Sequence, residues 1–145
     1  ATLAAGVQLP DPKGWVTTIA DGYPLLPVPP KVSGEMTSSV DAKGELVVHA
    51  NYVYAYAFQP GPHQAAATPW DIVSVLHENA DFLIVDGKPW PQGEKSYFYA
   101  MNCEFAQQGQ LAPAYSGHPT APDPSAEGPK AYYDPKHTVD IPNDC

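Results

Sequence analysis

The sequence predicts a mainly β fold: an antiparallel meander or sandwich-like single domain with extended proline-rich N- and C-terminal arms. Three observations predict it. Apolar residues alternate with others through much of 32–40 and 46–58, which is the side-chain period of a strand. Turn-forming sequences separate the runs, at Asp41-Ala42-Lys43-Gly44, Gln59-Pro60-Gly61-Pro62 and Asp86-Gly87-Lys88-Pro89. Of the 18 prolines, six lie in residues 1–30, seven in 113–145, and none between Lys31 and Gln59. Proline fixes φ and has no amide donor, so such ends favour extended or turn conformations. The chain therefore divides into an arm at 1–31, a β body at 32–112 and an arm at 113–145 tied back by a disulfide.

Within the first arm, Trp15-Val16-Thr17-Thr18-Ile19 is β-branched enough to add a strand. In the first body strand, Val32, Met36 and Val40 share one face, and Ser33, Glu35, Thr37 and Ser39 the other. The Asp41–Gly44 turn leads into a long second strand, Glu45 to Phe58. One of its faces carries Leu46, Val48, Ala50, Tyr52, Tyr54, Tyr56 and Phe58 and reads as core. The opposite face carries Val47, His49, Asn51, Val53, Ala55 and Ala57 and reads as the outward side.

Residues 68–85 admit two readings. Thr68 as N-cap, Pro69 at N1 and Asp71 at N3 would start a helix near 69–79, giving an α+β fold on a curved sheet. The β-branched Ile72, Val73 and Val75, with Trp70, Ile72, Leu76, Ala80, Phe82 and Ile84 on one strand face, favour a long or bulged strand. Asp86-Gly87-Lys88-Pro89 then turns the chain, and Ser96–Phe105 is the fourth strand, with Tyr97, Tyr99, Met101, Cys103 and Phe105 on one face. A single sheet must cover its apolar side, and Tyr115, Tyr132 and Tyr133 are candidates to do so.

Charge narrows the partners. The formal charge is −9, from 7 basic against 16 acidic residues, and every basic residue is a lysine. Without arginine there is no planar fork to grip phosphate. An acidic surface argues against nucleic acid and against anionic membranes. No apolar run reaches membrane-spanning length.

The start Ala1-Thr2-Leu3-Ala4-Ala5 has the small-residue character that processing of an exported precursor leaves, so a secreted protein is expected. Its two cysteines, Cys103 and Cys145, are then expected to bond. The bridge would close a loop of 43 residues, worth roughly 4 kcal/mol in the loop-entropy account.

Motifs for chemistry are weak. His77-Glu78-Asn79-Ala80-Asp81 resembles the HExxH zinc-peptidase motif, but Asp81 stands where the second metal-binding histidine belongs. The five histidines have no metal-ligand spacing, and no nucleophile elbow, phosphate loop or dinucleotide fingerprint occurs. No metal and no cofactor are expected. His49 and Asn51, mid-strand, are candidates to line a ligand pocket. Tyr52, Tyr54 and Tyr56, if exposed, would form a platform for sugar rings or a proline-rich segment. Trp90, between Pro89 and Pro91, reads as an aromatic in an exposed turn and hence as a contact residue.

The functional expectation is a secreted, non-enzymatic interaction protein, an adaptor or subunit of an extracellular assembly. Its partner would be another secreted protein, docked through the N-terminal arm by Leu3, Val7, Leu9 and Trp15, with Trp90. The alternatives are a small-ligand or carbohydrate-binding domain and a small secreted hydrolase or isomerase.

Overall fold

The computed structural model describes residues 17–61, 72–116 and 129–140. The elements in chain order are β1 (Thr18–Ile19), β2 (Lys31–Val40), β3 (Leu46–Ala57), β4 (Val73–Val85), β5 (Lys88–Tyr99), α1 (Cys103–Ala106) and β6 (Gln110–Leu111), with 3-10 turns at Ala114–Ser116 and Pro129–Tyr133. The expected mainly β meander is present. β2, β3, β4 and β5 form one antiparallel sheet in sequence order, and β1 and β6 make a small parallel pair.

Two of the hairpins follow from their turns. Between β2 and β3, the Asp41 carboxylate accepts the amides of Lys43 and Glu45, both at 2.8 Å, and Gly44 takes φ +83°. Between β4 and β5 the turn is Asp86-Gly87, both at positive φ (52° and 72°). That is the geometry whose twist matches the flanking strands. Lys88 and Pro89, expected in the turn, already belong to β5. Gly34 in β2 has φ +149°, and a Cβ there would meet the Asn51 carbonyl at 2.0 Å, so a side chain would force the hairpin apart.

Residues 73–79 lie in β4, which excludes the helical reading there; 69–71 fall outside the described residues. β4 meets β5 with a register shift: Asp81 opposes Gly93 but Phe82 opposes Pro91, leaving Gln92 as the extra residue of a bulge. The expectation of a fourth strand at Ser96–Phe105 is corrected. β5 runs from Lys88 to Tyr99, and Ala100 turns away with φ +53°. The Ala100 carbonyl is held by the Ser74 hydroxyl at 2.6 Å and the Ala114 amide at 3.0 Å. Buried Asn102 then caps α1, its Oδ1 accepting the amides of Glu104 at 2.9 Å and Phe105 at 3.4 Å. Local capping thus outweighs the alternating pattern that had placed Cys103 and Phe105 on a strand.

Strand alternation gives the sheet a histidine face (Ser39, His49, Asn51, Val53, His77, Asp81, Tyr97) and a tyrosine face (Val32, Met36, Val40, Leu46, Tyr52, Tyr54, Tyr56, Leu76, Phe98). At one end of the tyrosine face lies a core of Phe58, Met101 and Leu111, packed by Ile19, Tyr23, Leu25, Tyr56, Phe98 and Tyr115. The described part of the first proline-rich segment contributes to it: Ile19 pairs with Leu111, and Leu25 bridges Phe58. Trp15–Ile19, expected to add a strand, does so at Thr18–Ile19, while Trp15 and Val16 fall outside the described residues.

Candidate functional site

On the histidine face, three side chains from three strands are joined in line. His49 on β3 lies directly opposite Asp81 on β4, and its Nδ1 is 2.7 Å from Asp81 Oδ1. Its Nε2 is 2.8 Å from the hydroxyl of Ser39 on β2. The carboxylate can only accept, so Nδ1 carries a proton, and in neutral His49 the lone pair of Nε2 faces Ser39. This is the wiring by which a histidine takes a proton from a serine nucleophile while a carboxylate fixes its tautomer. The His49 and Asp81 side chains are 42% and 54% exposed. Their ion pair, when formed, contributes under about 1 kcal/mol in that setting.

One register step away, Val47 opposes Leu83 and Leu83 opposes Trp90. Leu83, Val85, Trp90, Pro91 and Gln92 line an open groove of about 450 Å³ beside the polar line. Trp90 is not in a turn, as expected, but on edge strand β5, where a proline on either side is tolerated because the edge needs no further amide donor.

At the other end of this face the surface is closed. His77 is fully buried, edge-on to Tyr97 with ring centroids 5.4 Å apart. Its Nε2 donates to Asn51 Oδ1 at 2.7 Å, and Asn51 Nδ2 donates to the Pro135 carbonyl at 2.8 Å. Tyr132 stacks on Tyr99 at 3.8 Å and meets Tyr97 at 5.7 Å. Residues 129–140 therefore cover Val53, His77 and Tyr97. The side expected to face outward is, over this stretch, interior. Burial, then the charge on His137, lowers the His77 pKa against a smaller opposing effect of Asp134, so the ring is neutral near pH 7.

The tyrosine face is open beyond Tyr56. Val32, Met36, Val40 and Leu46 are exposed at 56%, 61%, 68% and 43%. Tyr52 and Tyr54 are half-buried beside them, 6.3 Å apart. Glu78, from the neighbouring strand, sits among the tyrosines. Burial and the nearby Glu94 raise its pKa, and burial followed by the charge of Glu78 raises that of Tyr54.

The candidate ligand residues thus do not form one site. His49 and Asn51 lie on one face, Tyr52, Tyr54 and Tyr56 on the other, and Asn51 is engaged by the C-terminal segment. Leu3, Val7, Leu9 and Trp15 fall outside the described residues, as does Cys145. Cys103 is in disulfide form, and no free thiol occurs among the described residues. His77 and Asp81, read together as a degenerate zinc motif, are separated: one is buried, the other joins His49 in the open. Among the described residues no group of three His, Cys, Asp or Glu could hold a metal ion, and no helix is long and apolar enough to cross a membrane. Sequence reasoning missed Ser39 and the pairing of Asp81 with His49. Their only signal was the strand register, which pairs positions 32 residues apart. Comparison with protein-family models, curated proteins and solved structures found no match.

Proposed function

We propose that this is a non-enzymatic interaction protein of the extracellular space that docks a protein partner on the open part of its tyrosine face. The observation that carries this reading is the contiguous exposure of Val32, Met36, Val40 and Leu46 next to Tyr52 and Tyr54. Grouped apolar side chains left in water mark contact surfaces, and tyrosine adds a wide, rigid contact with a polar tip. The half-buried carboxylate of Glu78 within the patch favours a partner that brings a cation along with its apolar residues. Cys103 in disulfide form fits an oxidising compartment. Immobilised wild-type protein should retain a stoichiometric partner from its native medium that a Leu46→Glu variant does not. Equal retention by both would overturn the proposed surface.

A second reading, hydrolysis of reactive esters, is favoured by the Ser39–His49–Asp81 line. The relay stands in open water, where developing charge gains little from fixed dipoles, so any rate would be low. Release of nitrophenol from a nitrophenyl ester, abolished in both Ser39→Ala and His49→Gln, would support it. Equal rates in wild type and Ser39→Ala would exclude it.

A further inference from the structure

We propose that the free edge of β2 pairs antiparallel with the β2 edge of a second copy of this chain, centred on Met36, joining two sheets into one. The inference goes beyond the docking face and concerns a different surface, the strand edge.

The two edges of the sheet differ. β5 is blunted by Pro89, Pro91 and the bulge at Gln92, the devices that discourage edge pairing. β2 is ten residues long, holds neither proline nor bulge, and is exposed at every position. Among the described residues no strand lies beyond it. The Asp41 amide donates to the Glu45 carbonyl at 2.9 Å, which makes odd-numbered positions the ones bonded to β3. Val32, Gly34, Met36, Ser38 and Val40 therefore direct their amides and carbonyls outward from the sheet.

Side chains decide both occupant and register. With Met36 opposite Met36 of the second copy, Val32 meets Val40 and Gly34 meets Ser38 on the tyrosine face, while Ser33 meets Ser39 and Glu35 meets Thr37 on the other. At both ends Lys31 then lies opposite Asp41, a pair of opposite charge. Shifting the centre to Glu35 sets Glu35 against Glu35. Shifting it to Thr37 sets Lys31 against Lys43. Apolar positions, polar positions and charges thus agree only with the intermediate register of the three, and the strand is complementary to itself. Pairing would also make the exposed Val32, Met36 and Val40 of both copies continuous.

Sedimentation of the full chain should give twice the monomer mass. Met36→Lys, which sets two ammonium groups face to face, should raise the dissociation constant at least tenfold without altering the far-ultraviolet circular dichroism. Lys31→Glu should weaken association at low salt and less so at high salt. Spin labels test the register. Position 36 should lie close to its twin, and labels at 32 and at 40 should each lie about 26 Å from theirs, eight residues at ~3.3 Å. A monomer at the highest soluble concentration overturns the proposal, as does a dimer in which position 36 is far from its twin. Either result leaves partner capture on the tyrosine face unaffected. Conversely, a dimer with the expected distances but no Leu46-dependent partner would sink only the docking reading.

Discussion

Asn51 receives the Nε2 proton of buried His77 on one side of its amide and donates to the Pro135 carbonyl from the other. A single side chain in mid-sheet thereby connects β4 to Pro135, which lies 84 residues beyond Asn51 in the chain. Asn51→Ala would remove both contacts and leave a buried imidazole N–H without its acceptor. A loss of about 1–3 kcal/mol is expected, checked by urea unfolding, with faster amide exchange in residues 129–140. An unchanged midpoint would show that the remaining contacts, the Tyr132 stacking and the Lys95–Asp140 ion pair among them, hold the segment without Asn51.

His77 also sets an acid limit. Its folded pKa is depressed below the ordinary 6.5 because burial disfavours the cation. A base with a depressed folded value binds more protons when unfolded. Its contribution is present in full above 6.5 and is lost as pH falls through the folded value. Unfolding free energy should therefore drop as pH falls below about 6.5, and His77→Gln should flatten that part of the profile. Parallel profiles for the two proteins would contradict the assignment.

Tyr133 sets an alkaline limit. Burial, reinforced by Tyr99, raises its pKa to about 12 from 10.0. The raised value means that stability is complete below pH 10 and is lost as pH rises through about 12. Tyrosinate absorbance should show late-titrating tyrosines, and Tyr133→Phe should remove the component that titrates near pH 12 while those of Tyr54, Tyr56, Tyr99 and Tyr115 remain.

Glu78 has the opposite sense to a stabilising carboxylate. Its raised pKa means that the ionised form is disfavoured in the folded state. The penalty applies above the folded value and vanishes below the unfolded one. Glu78→Gln should stabilise by about 0.5 kcal/mol at pH 7, once solvent screening of this half-buried group is allowed for, and by nothing at pH 3. If the carboxylate greets a basic partner, the same variant should weaken partner capture.

Within residues 1–145 the other cysteine is Cys145, the expected partner of Cys103. Native protein treated with a thiol-alkylating reagent should remain unlabelled at both positions until reduced. Quantitative labelling without reductant would contradict the bridge.

The strands and their turns were legible because alternation and turn chemistry are local. Val32–Val40, the Asp41–Gly44 turn and the Leu46–Phe58 run stand in the sequence as they do in the sheet. The end of β5 was not legible, because Ala100 adopts a positive φ with its carbonyl held by Ser74 and Ala114, contacts that no neighbouring residue announces. Nor was the coverage of each face. Alternation separates Tyr54 from His49 but does not say that residues 129–140 lie over His77 while Leu46 stays in water. The Ser39–His49–Asp81 line required two strand registers at once, which spacing along the chain does not encode.

The most direct test of the proposed role is photocrosslinking from the native protein in its own medium, with the reactive group placed at position 46 on the tyrosine face or at position 37 on the opposite face. One discrete adduct with a different protein from position 46, and none from position 37, is the predicted result. The same adduct from both positions, or from 37 alone, would contradict the tyrosine face as the docking surface.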